Sequence, residues 1–215
     1  YTGAHEDARR RDFTINGMFF NPIEGTLVDY VDGRKDIERR MVRAIGDPSA
    51  RFSEDYLRLL RAVRFSARLG FGIEKKTLEA IKENASHISE VSGERVRQEL
   101  EYIFLDTNRH RALEIMKTTG LLKHVLAEVD AMDGIAQGRK LHPEGDVWQH
   151  TLLCMDHLEE PSFTLALAVL LHDVGKPPTA STPGPRPFLN HERVGERMAR
   201  KIAERLRLSK RETEE

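Results

Sequence analysis

Apolar residues recur three or four apart through most of the chain after Asp36, the spacing of helices that bury one face. The segment RFSEDYLRLLRAVRF, residues 51–65, shows it most sharply. At about 100° per residue, Phe52, Tyr56, Leu59, Leu60 and Val63 fall within an arc of ~100°. Glu54, Asp55, Arg58, Arg61 and Arg64 take the opposite side. Gly46-Asp47-Pro48 breaks the chain ahead of this helix, and Gly70 and Gly72 close it. IEKKTLEAIKENASHI, SGERVRQELEYIFL and RHRALEIMKTTGLLKHVL predict further helices, with Ser92 as a start and Gly120 as a stop. The N-terminal stretch RRDFTINGMFFNPIEGTLVDYVDG differs. Its β-branched and aromatic clusters, broken at Asn21-Pro22 and Glu24-Gly25, predict a short strand pair around a turn.

Composition narrows the class. With 215 residues, 39% hydrophobic and 32% charged, the chain reads as a soluble protein with a substantial core and an ionised surface. It has no apolar run long enough for a membrane helix and no secretory signal, so no membrane partner is expected. The single cysteine, Cys154, suits a reducing compartment, and the expected location is cytoplasmic. A net charge of −1 gives no whole-chain sign of nucleic-acid binding. Locally the balance shifts: Arg34 to Arg68 holds ten basic residues against five acids. The chain starts at Tyr1 and ends in a helical-looking run, which reads as a piece of a longer protein.

The polar face of residues 51–65 admits two readings. One is a solvated helix face with ion pairs three residues apart, each worth a few tenths of a kcal/mol. The other is recognition. Adenine and cytosine each present an amino donor beside a ring-nitrogen acceptor, which a carboxylate and a guanidinium match. Guanine and uracil invert that pattern and would leave buried charges unpaired, at roughly 1–3 kcal/mol. Asp55 and Arg58, one turn apart, are the candidate pair, and Arg61 and Arg64 extend the row toward a triphosphate or a water network.

Three ordered segments carry a resemblance: RRDFTINGM (10–18), IGDPSARFSEDYLRLLRAVRF (45–65) and SGERVRQEL (92–100). They resemble the later motifs of class II template-independent nucleotidyltransferases, the family of CCA-adding enzymes and bacterial poly(A) polymerases. Gly17 stands where that family more often has alanine, and DGRKDI has one glycine where two are common. The resemblance implies that Arg11 and Asp12 lie by the ribose and triphosphate and that Asn16 supports them. It implies Asp55 and Arg58 as a protein template for the base edge, assisted by Arg61 and Arg64. Glu94, Arg95 and Arg97 read either as a solvated helix face or as structural parts closing the nucleotide pocket. Lys75, Lys76 and Lys82 read as solvated lysines, with RNA phosphates as the other possibility. The family's metal-binding aspartate pair is expected upstream of RRDFT, so Mg²⁺ for nucleotidyl transfer has no ligands among these residues, and no catalytic residue is assigned here.

After the polar stretch DAMDGIAQGRK the composition changes, and five of the nine histidines follow. LALAVLLHDVGKP sets His172 and Asp173 at the end of an apolar helix, where an unpaired carboxylate would cost several kcal/mol. A divalent metal would satisfy it. His150 in DVWQHTLL and His191 in HERVGE offer further imidazoles, and His142 before Pro143 is expected to shape a turn. The order His, His-Asp, His resembles the HD superfamily of metal-dependent phosphohydrolases. It implies His150, His172, Asp173 and His191 as ligands of a divalent metal, although a fold remnant that uses His172 and Asp173 for internal hydrogen bonds is the plainer alternative.

The expected fold is mostly α. Residues 1–30 would end a nucleotidyltransferase head with a small β element, 31–136 would form a helical neck and body, and 137–215 an all-α HD domain cut short at its C-terminal side. The implied function is addition of nucleotides to an RNA 3′ end, CCA on tRNA from CTP and ATP. The alternatives are a poly(A) polymerase, an HD phosphohydrolase acting on nucleotides or 2′,3′-cyclic phosphates with an RNA-binding helical region, and a non-catalytic RNA-binding module.

Overall fold

A computed structural model of the chain describes residues 3–137, 145–180 and 188–214. It is mostly helical. Helix α1 (Ala4–Arg10) leads into a 3-10 turn and an antiparallel hairpin, β1 (Met18–Asn21) and β2 (Thr26–Asp29), with Met18 opposite Asp29. The hairpin is the strand pair expected around Asn21-Pro22 and Gly25, and Gly25 takes the left-handed φ of 65° that its turn needs. Helix α2 (Gly33–Glu38) packs close to the 3-10 turn, where a Cβ on Gly33 would lie 2.2 Å from the Thr14 carbonyl oxygen. A two-residue parallel pair, β3 (Met41–Val42) with β4 (Gly72–Ile73), was not expected from the helical pattern. It forms because the Gly70 turn (φ 64°) returns the chain beside Arg40.

The helix read over 51–65 is two helices. α3 (Pro48–Glu54) is capped by Asp47, whose carboxylate accepts from the Ala50 N–H at 2.8 Å, with Pro48 at its first turn. The chain leaves helical geometry at Asp55 (φ −161°, ψ 102°) and resumes in α4 (Leu57–Leu69). The Asp55 carboxylate accepts from the Leu57 N–H at 3.2 Å, a side-chain turn just ahead of α4, whose N-cap is Tyr56. Next come α5 (Lys75–Asn84), α6 (Gly93–Phe104), α7 (Arg109–Thr118), α8 (Leu121–Val125) and α9 (Ala127–Asp130). The tail holds α10 (Val147–Asp156), α11 (Phe163–Leu171), α12 (Lys176–Thr179), α13 (His191–Arg205) and α14 (Lys210–Glu214). The turn expected at His142 lies outside the described residues.

One apolar core runs from Phe13 through Leu59, Leu60 and Val63 of α4 to Leu170 of α11 and Ile202 of α13, crossing the expected boundary near residue 137. The buried Arg109 side chain reinforces that crossing. It donates to the Phe104 carbonyl at 2.7 Å and to the Met155 and Leu158 carbonyls at 3.1 and 3.0 Å, joining the C-terminal ends of α6 and α10. Arg205 of α13 holds Glu128 of α9 through two bonds of 2.8 Å. No helix of the described residues is long and apolar enough to cross a membrane.

Two predictions follow from this seam. A Cβ on Gly93, at the start of α6, would lie 2.0 Å from the Arg205 carbonyl oxygen, a backbone atom that no rotamer change moves. Gly93→Ala should therefore cost ~1–3 kcal/mol and lower the thermal midpoint by several degrees in a melting experiment. Burial pushes the Glu128 carboxyl up, but the Arg205 guanidinium pulls it further down, to a net position below the ordinary 4.5. A depressed carboxylate adds stability that is present above its unfolded value and lost as pH falls through its folded one. The urea stability of wild type should thus exceed that of Glu128→Gln at neutral pH, with the gap closing below pH 4.5.

Candidate functional site

Asp12 lies between the head segment and α4. Its backbone carbonyl accepts from the Ile45 N–H at 3.1 Å, which holds the residue against the start of α3. Its carboxylate then receives two guanidinium groups: Arg58 Nε at 2.9 Å and Arg61 Nε at 2.5 Å. Arg58 also donates to Glu54 Oε2 at 2.7 Å and to the Arg51 carbonyl at 2.6 Å. Arg61 reaches Glu99 Oε1 of α6 at 3.5 Å, and Arg64 Nε stands 3.0 Å from Glu99 Oε2. The side chains of Arg58, Arg61 and Arg64 are only 13%, 30% and 11% exposed, so this face is a charged seam between elements rather than a solvated one.

Glu99 is the least exposed member. Burial raises its carboxyl above the ordinary range against the pull of Arg64 and Arg61, and burial likewise lowers Arg64. Arg64 Nε and Glu99 Oε2 are close but not aligned for a hydrogen bond, which leaves both atoms buried without one. The Arg64 guanidinium is compensated by stacking, 4.8 Å from the centres of both the Phe65 and Tyr102 rings.

Asp55 departs from the sequence picture. It sits at the break between α3 and α4, and its closest guanidinium is Arg95 of α6, with Nη2 donating to Oδ2 at 2.7 Å. Burial raises its carboxyl, but Arg95 and the Leu57 N–H outweigh that, with Arg58 adding a weaker pull, and the net shift is downward. Arg58 is thus near Asp55 electrostatically while hydrogen-bonded elsewhere. Arg95 reaches into the site, whereas Arg97 turns away to pair with Glu212 of α14. Arg11 stacks over Phe19 at 4.8 Å and bonds the Asn16 carbonyl at 3.1 Å. Asn16 Oδ1 accepts from the Phe13 N–H at 3.1 Å and so fixes the turn that presents Asp12.

The second cluster lies in the tail. His172, at the end of α11, donates from Nδ1 to the Val169 carbonyl at 2.7 Å, and its Nε2 stands 3.1 Å from Asp173 Oδ2. His191, the first residue of α13, repeats the arrangement with the Phe188 carbonyl at 2.9 Å and Nε2 3.8 Å from Asp173 Oδ1. The two meet because Gly175 lets the chain pass α13 so closely that a Cβ would stand 2.0 Å from the His191 carbonyl oxygen. Asp173 is buried, yet it is not stranded. Lys176 Nζ donates to it at 2.7 Å and to Gln137 Oε1 at 2.6 Å. Burial raises the Asp173 carboxyl, but His172 and Lys176 together hold it well below the carboxylate range, and Asp173 in turn raises His172. Two imidazoles oriented by backbone carbonyls and aimed at one carboxylate are a donor set that fits a divalent cation. His150 of α10 joins from the other side, its ring 5.4 Å from that of His172.

Sequence reasoning misses three participants and leaves a fourth, Arg95, between a surface and a pocket-closing role. Glu99 hides on the apolar face of α6, three residues after Val96. Lys176 follows Asp173 at helical spacing, the one signal that could have found it. Cys154, one turn after His150, lies with Sγ 3.6 Å from His150 Nε2.

Comparison with known proteins matches this geometry in order. Residues 1–43 match the poly(A) polymerase head domain, 70–133 the probable RNA and SrmB binding site of polymerase A, and 145–215 the HD domain. A multifunctional CCA protein of Alkalilimnicola ehrlichii is 38% identical over 209 residues, covering 94% of this chain and 49% of the relative. The chain thus spans about half the length of the curated relatives it matches. Among solved structures, a tRNA-processing enzyme in an apo form has the same fold, with a TM-score of 0.68 at 21% identity over 99% of this chain and 55% of its own. The Bacillus stearothermophilus CCA-adding enzyme in complex with CTP follows at 27% identity and a TM-score of 0.55, over 95% of this chain and 60% of its own. Carrying a head segment, an RNA-binding region and an HD domain in that order, the chain belongs to the class II nucleotidyltransferase family of CCA-adding enzymes and poly(A) polymerases.

Proposed function

We propose that the full-length protein is a template-independent nucleotidyltransferase that completes tRNA 3′ ends with CCA from CTP and ATP in the cytoplasm. The observation that carries this reading is Asp55, held at a helix break by the Arg95 guanidinium, with Arg58 adding a weaker electrostatic pull. A fixed carboxylate beside fixed guanidiniums is complementary to the edges of cytosine and adenine and leaves guanine and uracil mismatched. Asp12, gripped by Arg58 and Arg61, sets the height of that pair relative to the head. Arg11, Asp12 and Asn16 would line the ribose and triphosphate side, and Arg61 and Arg64 would brace the base-reading helix. Mg²⁺, bound by head carboxylates outside these 215 residues, would supply charge neutralisation at the transferred phosphate.

The division proposed is a head segment at 1–30, a neck and body at 31–136 and an HD domain at 137–215. The HD domain would hold a divalent metal through His150, His172, Asp173 and His191, and with it a phosphohydrolase activity on nucleotides or cyclic phosphates. Support for that second activity comes from the two Nε2 atoms that face Asp173.

In the full-length enzyme, Asp55→Ala should lose discrimination of ATP and CTP against GTP and UTP, or lose incorporation altogether, in single-nucleotide extension assays on tRNA. Unchanged preference and rate would sink the base-reading role. Binding of tRNA should weaken with added salt as phosphate contacts release counterions. Because Arg58, Arg61 and Arg64 are committed to Asp12 and Glu99, the basic stretch 34–68 should serve the triphosphate and the primer end rather than grip the whole RNA. Lys75 is 87% exposed, and its Nζ stands 3.9 Å from Glu79 of its own helix. Replacing Lys75 and Lys76 by alanine should leave tRNA affinity nearly unchanged in a filter-binding titration, whereas a large loss would move the RNA site onto α5.

A further inference from the structure

His150 and Cys154 stand one turn apart on α10, and His172 ends α11 beside them. One ligand atom from each of the three lies within 4.8 Å of the other two. They line a groove between α10 and α11 whose remaining walls include Leu153, Leu158, Ala168 and Val169. His172 Nδ1 is engaged by the Val169 carbonyl, so Nε2 is the atom it offers, in exchange for its present 3.1 Å contact with Asp173 Oδ2. In a tetrahedral zinc site, a thiolate sulfur at about 2.3 Å and an imidazole nitrogen at about 2.0–2.1 Å from the ion stand roughly 3.5 Å apart. The Cys154 Sγ to His150 Nε2 separation is 3.6 Å.

The geometry points to a thiolate and bis-imidazole site for a soft divalent cation of the zinc type, built by His150, Cys154 and His172, with its open position toward the apolar groove. Thiolate ligation selects zinc or cobalt over magnesium and calcium, which prefer oxygen. On binding, the Cys154 thiol releases its proton to solvent, and the resulting thiolate cancels half of the ion's charge. The Asp173 carboxylate, one residue beyond His172, faces the remaining half and is itself shared with Lys176. The site rests on the HD-domain reading above for His150 and His172, and it is an alternative to the Asp173-centred ligand set given there. What is new is the sulfur ligand, which moves the centre from Asp173 toward α10.

The sulfur bond supplies a readout that an Asp173-centred ion cannot give. The full-length protein is titrated with Co²⁺ alone, with Cys154→Ala as the subtraction for any other thiol and circular dichroism as the check on folding. A near-ultraviolet thiolate-to-cobalt charge-transfer band should rise to stoichiometric loading, vanish on adding Zn²⁺, and be missing in both Cys154→Ala and Cys154→Ser. Zn²⁺ affinity should fall at least about tenfold in Cys154→Ala. The band should persist in Asp173→Asn and in His191→Ala. Wild-type protein that binds Co²⁺ without a sulfur band, or equal Zn²⁺ affinity with and without Cys154, reduces the pair to a plain S–H···N contact and overturns the site. Loss of the band in folded Asp173→Asn would place the ion on that carboxylate and overturn it as well. If His191→Ala abolishes phosphohydrolase activity while the cobalt band is absent from wild type, the Asp173-centred reading survives and the thiolate site alone fails.

Discussion

A single carboxylate organises the charged half of the molecule. Asp12 receives Arg58 and Arg61 from residues 46 and 49 positions away in sequence, and in doing so fixes the head segment against α4. The arrangement is stable only as a set. Burying one guanidinium without its partner leaves an uncompensated charge that costs ~3–5 kcal/mol. With Asp12 in place, Arg61 is held where it also meets Glu99, and Glu99 in turn faces Arg64. Glu99 is pushed up and Arg64 down by their own burial, which means the attraction between them does not fully offset their desolvation. The seam therefore adds definition more than stability, and the stability comes from the apolar face of α4 on the other side, where Leu59, Leu60 and Val63 are fully buried.

That division of labour suits recognition of a charged, planar ligand. Guanidiniums already fixed by carboxylates lose little rotamer freedom when a nucleotide arrives, so more of the contact energy is left for discrimination. Asp55 is the exception in the row because its own backbone is outside the helices. The break at Asp55 turns its carboxylate toward Arg95, a residue of α6, so under the proposed base reading the edge would be assembled from two helices that pack against each other rather than from successive turns of one. A ligand donor that takes the Asp55 carboxylate must share it with Arg95 or displace it. On that account Arg95 acts as a placeholder as well as a neighbour.

The parts legible in the sequence were those written in local pattern. Apolar spacing found α4, α5, α6 and α7, Asp47-Pro48 and Gly120 marked real helix ends, and the Asn21 to Gly25 turn predicted the hairpin. What escaped depends on partners distant in sequence. The parallel pairing of Met41 with Gly72 is a product of how α4 reverses at Gly70, and nothing in two isolated dipeptides announces it. The break at Asp55 was masked because Phe52, Tyr56 and Leu59 keep helical phase across it. Glu99 reads as a surface acid at a position whose neighbours Val96, Leu100 and Ile103 are core, and only the arginines facing it explain its burial. His150, His172 and His191 stand out in the sequence because a buried Asp173 needs a cation, and the HD resemblance adds the ligand set, while a single Cys154 points only to a reducing compartment.

Lys176 changes the logic of the tail most. A carboxylate at the end of an apolar helix demands a cation, and from the sequence a metal was the natural candidate. The structure supplies an ammonium from the next turn at 2.7 Å, itself held by Gln137 at 2.6 Å. Charge balance at Asp173 is then a property of the fold, and folding of the tail does not have to wait for an ion, unlike small domains whose metal is their core. It also follows that Asp173 is a weaker ligand than its position suggests, since an approaching cation meets a carboxylate whose charge is already shared with an ammonium and an imidazole. The imidazoles of His172 and His191 are oriented by Nδ1 hydrogen bonds to backbone carbonyls, which turns Nε2 of each toward the centre. Any affinity of this centre for a metal accordingly rests first on its nitrogen ligands, with Asp173 acting as much to orient His172 as to bind.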